Sequence, residues 1–164
     1  MIPPFQSNGH LPDGIHSATW THLTERLGWN QHRQTLLAGL ERALNDLRAA
    51  GYKRVYLNGS FVTSKDEPGD FDACWEPADV NFETIEPTLL QFDNARAAQK
   101  ARYGGELFPA DWDAVGDGTT FLGFFQLIRG GGKKGIVRID LDNPNTSTES
   151  TITEPTSAKP TKDR

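Results

Sequence analysis

Residues Leu57 to Glu76 read LNGSFVTSKDEPGDFDACWE. Just ahead of and into this stretch, Val55, Tyr56 and Leu57 form a short β-favouring run that meets Asn58-Gly59-Ser60, the pattern of a strand entering a tight turn. Pro68-Gly69 marks a second turn. From Asp70 to Trp75 the residues then alternate. Asp70, Asp72 and Cys74 fall on one side and Phe71, Ala73 and Trp75 on the other, which is the period of a half-buried strand. Pro77 limits its extension. Two carboxylates at i and i+2 of a strand project from the same face, roughly 6 to 7 Å apart along the backbone, and their side chains can converge on shared cations.

Working outward, the residues before this stretch are helical. Ser17 is placed to cap a short helix carrying Trp20, Leu23 and Leu27, with Gly28 to end it. Asn30 caps a second helix that runs to Ala50. Its Leu36, Leu37, Leu40, Leu44 and Leu47 form an apolar stripe at spacings of three and four, and Gly51 stops it. The opening, Met1 to Gly14, is rich in Pro and Gly and reads as an arm packed on the domain. Downstream, Leu89 to Arg102 predicts a helix ended by Gly104-Gly105, followed by a strand at Glu106-Leu107-Phe108. After a loop over Asp111 to Thr120, the spacing of Phe121, Leu122, Phe125 and Ile128 predicts another helix. Gly130 to Lys134 is a flexible basic loop, and Gly135 to Leu141 alternates as a final strand. The sum is an α+β fold, a small mixed sheet packed with helices, over residues 1–142. Residues 143–164 lack large apolar side chains apart from Ile152 and are expected to form a disordered tail.

Composition narrows the function classes. With 36% hydrophobic and 24% charged residues the chain is globular in type. A net charge of -5 argues against nucleic-acid binding through bulk electrostatics, although a local basic patch is compatible with it. One cysteine, Cys74, permits neither an internal disulfide nor a thiolate zinc site. The N-terminus has no basic start followed by an apolar run, and nowhere do 18 apolar residues follow one another. A cytoplasmic location away from membranes is the expectation.

Phosphoryl and nucleotidyl transfer need divalent metal held by carboxylates and a triphosphate gripped for in-line attack. Gly59 lets the backbone approach a phosphate closely, and Ser60 offers hydroxyl and amide donors. Gly59-Ser60, nine intervening residues, then Asp70-Phe71-Asp72-Ala73 resembles the Gly-Ser, Asp-x-Asp signature of the polymerase-β-like nucleotidyltransferase superfamily. Most of residues 1–142 also resembles a family of small bacterial proteins of this type, through LPDGIH, YLNGSFVTSKDEPGDFDACW, GGELFPAD and KKGIVRIDL. The resemblance implies a minimal nucleotidyltransferase fold. It also implies a nucleoside triphosphate as substrate at Gly59 and Ser60, and Mg²⁺ or Mn²⁺ at Asp70 and Asp72. A third carboxylate should come from a later strand, with Glu106 first, Asp140 second and Asp111 third. As partners it implies a tRNA or protein acceptor and a helix-turn-helix antitoxin.

The remaining polar residues divide between function and packing. Lys65 is either a triphosphate contact or a solvated loop lysine beside Asp66 and Glu67. Lys133 and Lys134 either touch phosphate or RNA, or merely join two elements in a polar loop. His10, His16, His22 and His32 lack regular ligand spacing and read as surface or arm-packing residues. Cys74 shares the carboxylate side, with no Cys-His arrangement to activate it. Trp20, Trp29, Trp75 and Trp112 read as core and anchoring residues. The expected activity is transfer of NMP from an NTP to an RNA or protein hydroxyl, as a toxin of a toxin-antitoxin pair. The alternative is a catalytically inert nucleotide-binding or regulatory partner in such a pair.

Overall fold

The computed structural model describes residues 1–142, so the expected tail over 143–164 lies outside the described residues. The two strands of the central stretch are β2 (Arg54–Asn58) and β3 (Phe71–Trp75). They pair antiparallel, with Leu57 opposite Ala73 and Asn58 opposite Asp72. Three more strands complete a mixed sheet: β1 (Gly14–Ser17), β4 (Gly105–Pro109) and β5 (Gly135–Asp140), in the order β1-β5-β2-β3-β4. β3 runs parallel to β4 and β1 parallel to β5, while β2 is antiparallel to both of its neighbours.

Among the described residues four α-helices accompany the sheet: α1 (Trp20–Leu27), α2 (Gln31–Ala50), α3 (Asp93–Tyr103) and α4 (Phe121–Phe125). The leucine stripe of α2 is buried together with Val55 and Leu57 of β2, Phe71, Ala73 and Trp75 of β3, Leu107 of β4, and Val137 and Ile139 of β5. Burying one stripe of a 20-residue helix against one sheet face is the main source of its stability. The other sheet face carries a smaller cluster in which Tyr56, Cys74 and Ile136 meet Ala110 and Phe125. That second face is only partly covered, and its polar end holds the site.

The helix ends follow local chemistry. Asn30 caps α2 by accepting from the Arg33 amide, and Gly51 ends it with a φ of 109°. For α1 the cap is Thr19, which accepts from the His22 amide, and not Ser17, which belongs to β1. β1 itself was not expected. Its four residues GIHS carry no apolar alternation, and the strand exists because its backbone pairs with β5 at the sheet edge.

Two helices are shorter than the sequence predicts. Leu89 and Leu90 lie in a 3₁₀ turn (Pro87–Leu90) ahead of α3, initiated by Pro87 and capped by Glu86. Leu89 is buried in the main core there, so tertiary burial sets its place. In the first turn of α3, Asn94, Ala95 and Arg96 have φ of 50°, 55° and 60°. Ile128 falls outside α4, because the Gly130-Gly131-Gly132 run turns the chain back so that the Ile128 amide donates to the Gly132 carbonyl at 2.9 Å. Among the described residues no helix is long and apolar enough to cross a membrane.

Candidate metal and phosphate site

Because Phe71 and Ala73 point into the main core, Asp72 and the neighbouring Asp70 face the other side of the sheet. The register then decides which later carboxylate joins them. Glu106 of β4 stands beside Asp72, so their side chains share a face. One oxygen from each of Asp70, Asp72 and Glu106 can be chosen so that all lie within 4.8 Å of one another. Asp140 pairs in register with Arg54, at the opposite end of β2 from Asn58, and receives the Arg54 Nε at 3.0 Å. Asp111 is exposed beyond Pro109, the residue of β4 that pairs with Trp75 at the far end of β3. Neither can reach the pair, which leaves Glu106.

The three carboxylates are not equivalent. Asp72 is pushed up to about 7, first by burial and then by the negative charges of Asp70 and Glu106, with Lys134 and Lys100 opposing. Asp70 is raised by burial and by Glu106. Glu106 has protein cations of its own: Arg96 Nε at 3.0 Å and Lys100 Nζ at 3.5 Å. The left-handed turn at the start of α3 includes Arg96. Asn58, the register partner of Asp72 on β2, is 7% exposed, and among the described residues its Oδ1 has no hydrogen-bond partner. A buried carbonyl oxygen left without a donor suits a site that completes itself around a cation. These oxygens fit a hard divalent ion such as Mg²⁺ or Mn²⁺, and the donor set contains no thiolate or imidazole that would favour zinc.

On the other side of Gly59 lies a cleft of about 400 Å³. Gly59 and Ser60 form one wall, Lys65 and Lys134 contribute amines, and Asn8 to His10 of the N-terminal arm also line it. Among the described residues no carboxylate lines it, although three stand just past Gly59. Lys134 is lowered by burial, against the attraction of Asp72, so it is a desolvated amine between the cleft and the acidic cluster. The same loop carries Lys133, which does not line the cleft. The structure thus brings Gly59, Ser60 and Lys65 together, beside Asp70, Asp72 and Glu106.

The loop that presents Gly59 to Lys65 is held from beneath by Arg33, which is 0% exposed. Its guanidinium donates to the carbonyls of Leu27 at 3.0 Å, Phe61 at 2.8 Å, Thr63 at 2.7 Å and Lys65 at 2.6 Å. It also stacks on Trp29, 3.7 Å from the ring centroid. Burial lowers Arg33 to about 10, against the attraction of Asp66. Sequence reasoning passed over this residue, yet a signal existed: Arg33 sits three and four positions before Leu36 and Leu37, on the buried stripe of α2. The pairing of Asn58 with Asp72, by contrast, has no trace in residue spacing.

The chain from residue 3 to residue 140 matches the profile of the family of unknown function DUF6932. It belongs to that family. No curated protein and no solved structure matches it. The other candidate residues of this DUF6932 chain have structural places. His16 Nε2 pairs with the Pro12 carbonyl at 2.7 Å and His32 Nε2 with that of Pro68 at 2.5 Å, and among the described residues no histidine joins a metal-binding group. Cys74 is buried, which pushes its thiol up to about 12 and removes it from nucleophilic chemistry. Trp20 and Trp75 are core residues as expected, whereas Trp112 is 49% exposed and Trp29 rests on Arg33 at the surface.

Proposed function

We propose that this protein is a nucleotidyltransferase with the minimal polymerase-β-like fold, transferring NMP from an NTP to a hydroxyl of RNA or protein. The observation that carries the reading is the adjacency of two unlike sites across Gly59: three convergent carboxylates on one side, and a carboxylate-free cleft with two lysines on the other. A transferred nucleotide needs both, since its α-phosphate must sit at the metal while the rest of the triphosphate is held.

Asp70, Asp72 and Glu106 are the residues that would hold Mg²⁺, which when bound supplies charge neutralisation at the reacting phosphate. Gly59 admits the phosphate chain close to the backbone, Ser60 donates to it, and Lys65 and Lys134 balance its charge. The acceptor oxygen attacks the α-phosphorus, the bond to the bridging oxygen breaks, and pyrophosphate leaves. The proton from the acceptor passes to one of the carboxylates of the cluster. A tRNA or a protein side chain is the proposed acceptor, and a helix-turn-helix antitoxin the proposed protein partner.

One observation favours a second reading. Glu106 is held by Arg96 and Lys100, so its charge is balanced without a metal ion. A catalytically inert nucleotide-binding partner of a toxin-antitoxin pair needs no more than that. The deciding experiment supplies each α-labelled NTP with Mg²⁺ to the protein in a cell extract. Label on RNA or protein that is lost in Asp72→Asn supports the enzyme. Binding of NTP without transfer to any acceptor supports the inert partner.

A further inference from the structure

The N-terminal arm is a built part of the cleft. Residues Gln6 to His10 fold back on themselves: the Gln6 amide donates to the His10 carbonyl and the Gly9 amide to the Gln6 carbonyl, both at 2.8 Å, and the His10 amide donates to Asn8 Oδ1 at 3.0 Å. The Ser64 amide then ties this turn to the Gly59–Lys65 loop by donating to the Gly9 carbonyl at 3.0 Å. Gly9 has a φ of 85°, which favours glycine, and a Cβ there would lie 2.8 Å from Ser64 Oγ and push that hydroxyl aside. Just beyond, Leu11 is fully buried and its carbonyl accepts from the Gly135 amide at 3.0 Å. The arm is therefore fixed to both loops that supply the cleft lysines.

Within this braced turn His10 has a loose end. Among the described residues its hydrogen bonds are made by its backbone, while its ring Nδ1 is buried with no partner. Burial and the nearby Lys134 both lower its proton affinity, which favours the neutral ring with one N–H to donate. His10 lines a cleft that holds two lysines and hydroxyls and, among the described residues, no carboxylate, so a hydrogen bond from its ring calls for an anionic acceptor.

We infer that the Asn8–His10 segment is the outer wall of a seat for the non-transferred phosphates of the nucleotide, with His10 donating a ring hydrogen bond to a phosphate oxygen held between Lys65 and Lys134. This rests on the nucleotide reading above and extends it to a residue outside the Gly-Ser and carboxylate pattern. The site takes a pyrophosphate-like group, whether carried by an NTP or free.

The test is titration calorimetry of the full chain with Mg²⁺ and either inorganic pyrophosphate or the α,β-methylene analogues of the four NTPs. His10→Ala keeps every backbone bond of the turn, so its fold should survive, and a thermal melt verifies this. It should weaken pyrophosphate and the best-bound analogue by the same factor, roughly tenfold, as expected for one hydrogen bond to a charged acceptor. Gly9→Ala, which displaces the turn from Ser64, should do the same, and His22→Ala should change nothing. Wild-type affinity in both His10→Ala and Gly9→Ala overturns the inference while leaving the nucleotide reading intact. Failure of the wild-type protein to bind any analogue overturns both.

Discussion

The Asp72 carboxylate occupies the space where a side chain at Gly59 would be: a Cβ on Gly59 would stand 3.1 Å from Asp72 Cγ and would collide with its Oδ2. Gly59 thus borders two features at once, leaving room for the Asp72 carboxylate and forming part of the cleft wall. Its φ of 83° adds a second reason for glycine. Gly59→Ala should lower stability by about 1–3 kcal/mol and disturb metal binding through Asp72. Gly69 is the control, with open space around its Cβ position, and Gly69→Ala should stay within about 0.5 kcal/mol of wild type. Urea unfolding of the two variants decides it, and equal losses would contradict the packing argument.

The proton on Asp72 links stability to pH. Its folded-state value of about 7 lies above the ordinary 3.8, so between these values the folded chain keeps a proton that the unfolded chain releases. Stability from this residue is fully present below about pH 4, falls as pH rises toward 7, and levels off above that. Asn mimics the protonated carboxyl. In EDTA, Asp72→Asn should therefore gain stability over wild type as pH rises, by on the order of 1–3 kcal/mol at pH 8. Added Mg²⁺ should stabilise wild type at pH 8 and leave the variant unchanged. A wild-type-to-variant difference that does not vary with pH would refute the raised value.

Cys74 lies on the carboxylate side of β3, as its alternation with Asp70 and Asp72 requires, yet it belongs to the small apolar cluster with Tyr56 and Ile136. With its thiol pushed up to about 12, the folded protein should resist a thiol reagent at pH 8 and react at once in denaturant. Fast labelling of the native chain would show that this face opens.

What the residues disclosed depended on whether their role was local. The α2 stripe, the Asn30 and Gly51 caps and the alternation around Asp72 are short-range patterns, and each reappears in the structure. Glu106 followed from its place after a helix, but only the parallel register with Asp72 separates it from Asp140 and Asp111. β1 was hidden because edge pairing is a backbone matter. The cleft was hidden too, because it joins three distant segments, the arm, the Gly59–Lys65 loop and the loop at Lys134.

Arg33 shows how much of the site depends on a residue outside it. Its guanidinium gathers carbonyls from the end of α1 and from three positions of the 59–65 loop, so removing it strands those acceptors in a buried setting. Arg33→Met should cost on the order of 3–5 kcal/mol, and Arg33→Lys should recover little, since a single ammonium cannot span that fork. Hydrogen exchange should show early opening of residues 60–65 in both. Protection equal to wild type in the lysine variant would mean that charge alone holds the loop.

Gly39 gives the sharpest contrast between local preference and packing. It lies near the middle of α2, where glycine is unfavourable by about 1 kcal/mol relative to alanine, so propensity alone expects Gly39→Ala to stabilise. The structure expects the reverse, because a Cβ at Gly39 would collide with the backbone carbonyl of Tyr103 at the end of α3. Backbone cannot swing aside as a flexible side chain can, and Tyr103 is itself fixed by its hydroxyl donating to Asp46 at 2.7 Å. Gly39→Ala should thus destabilise by about 1–3 kcal/mol, as overpacking does. The shift should propagate through α3 to Arg96, Lys100 and Glu106, weakening Mg²⁺ binding as well. A thermal melt that rises in Gly39→Ala would show that α2 and α3 can separate, and that the position of Glu106 does not depend on their contact.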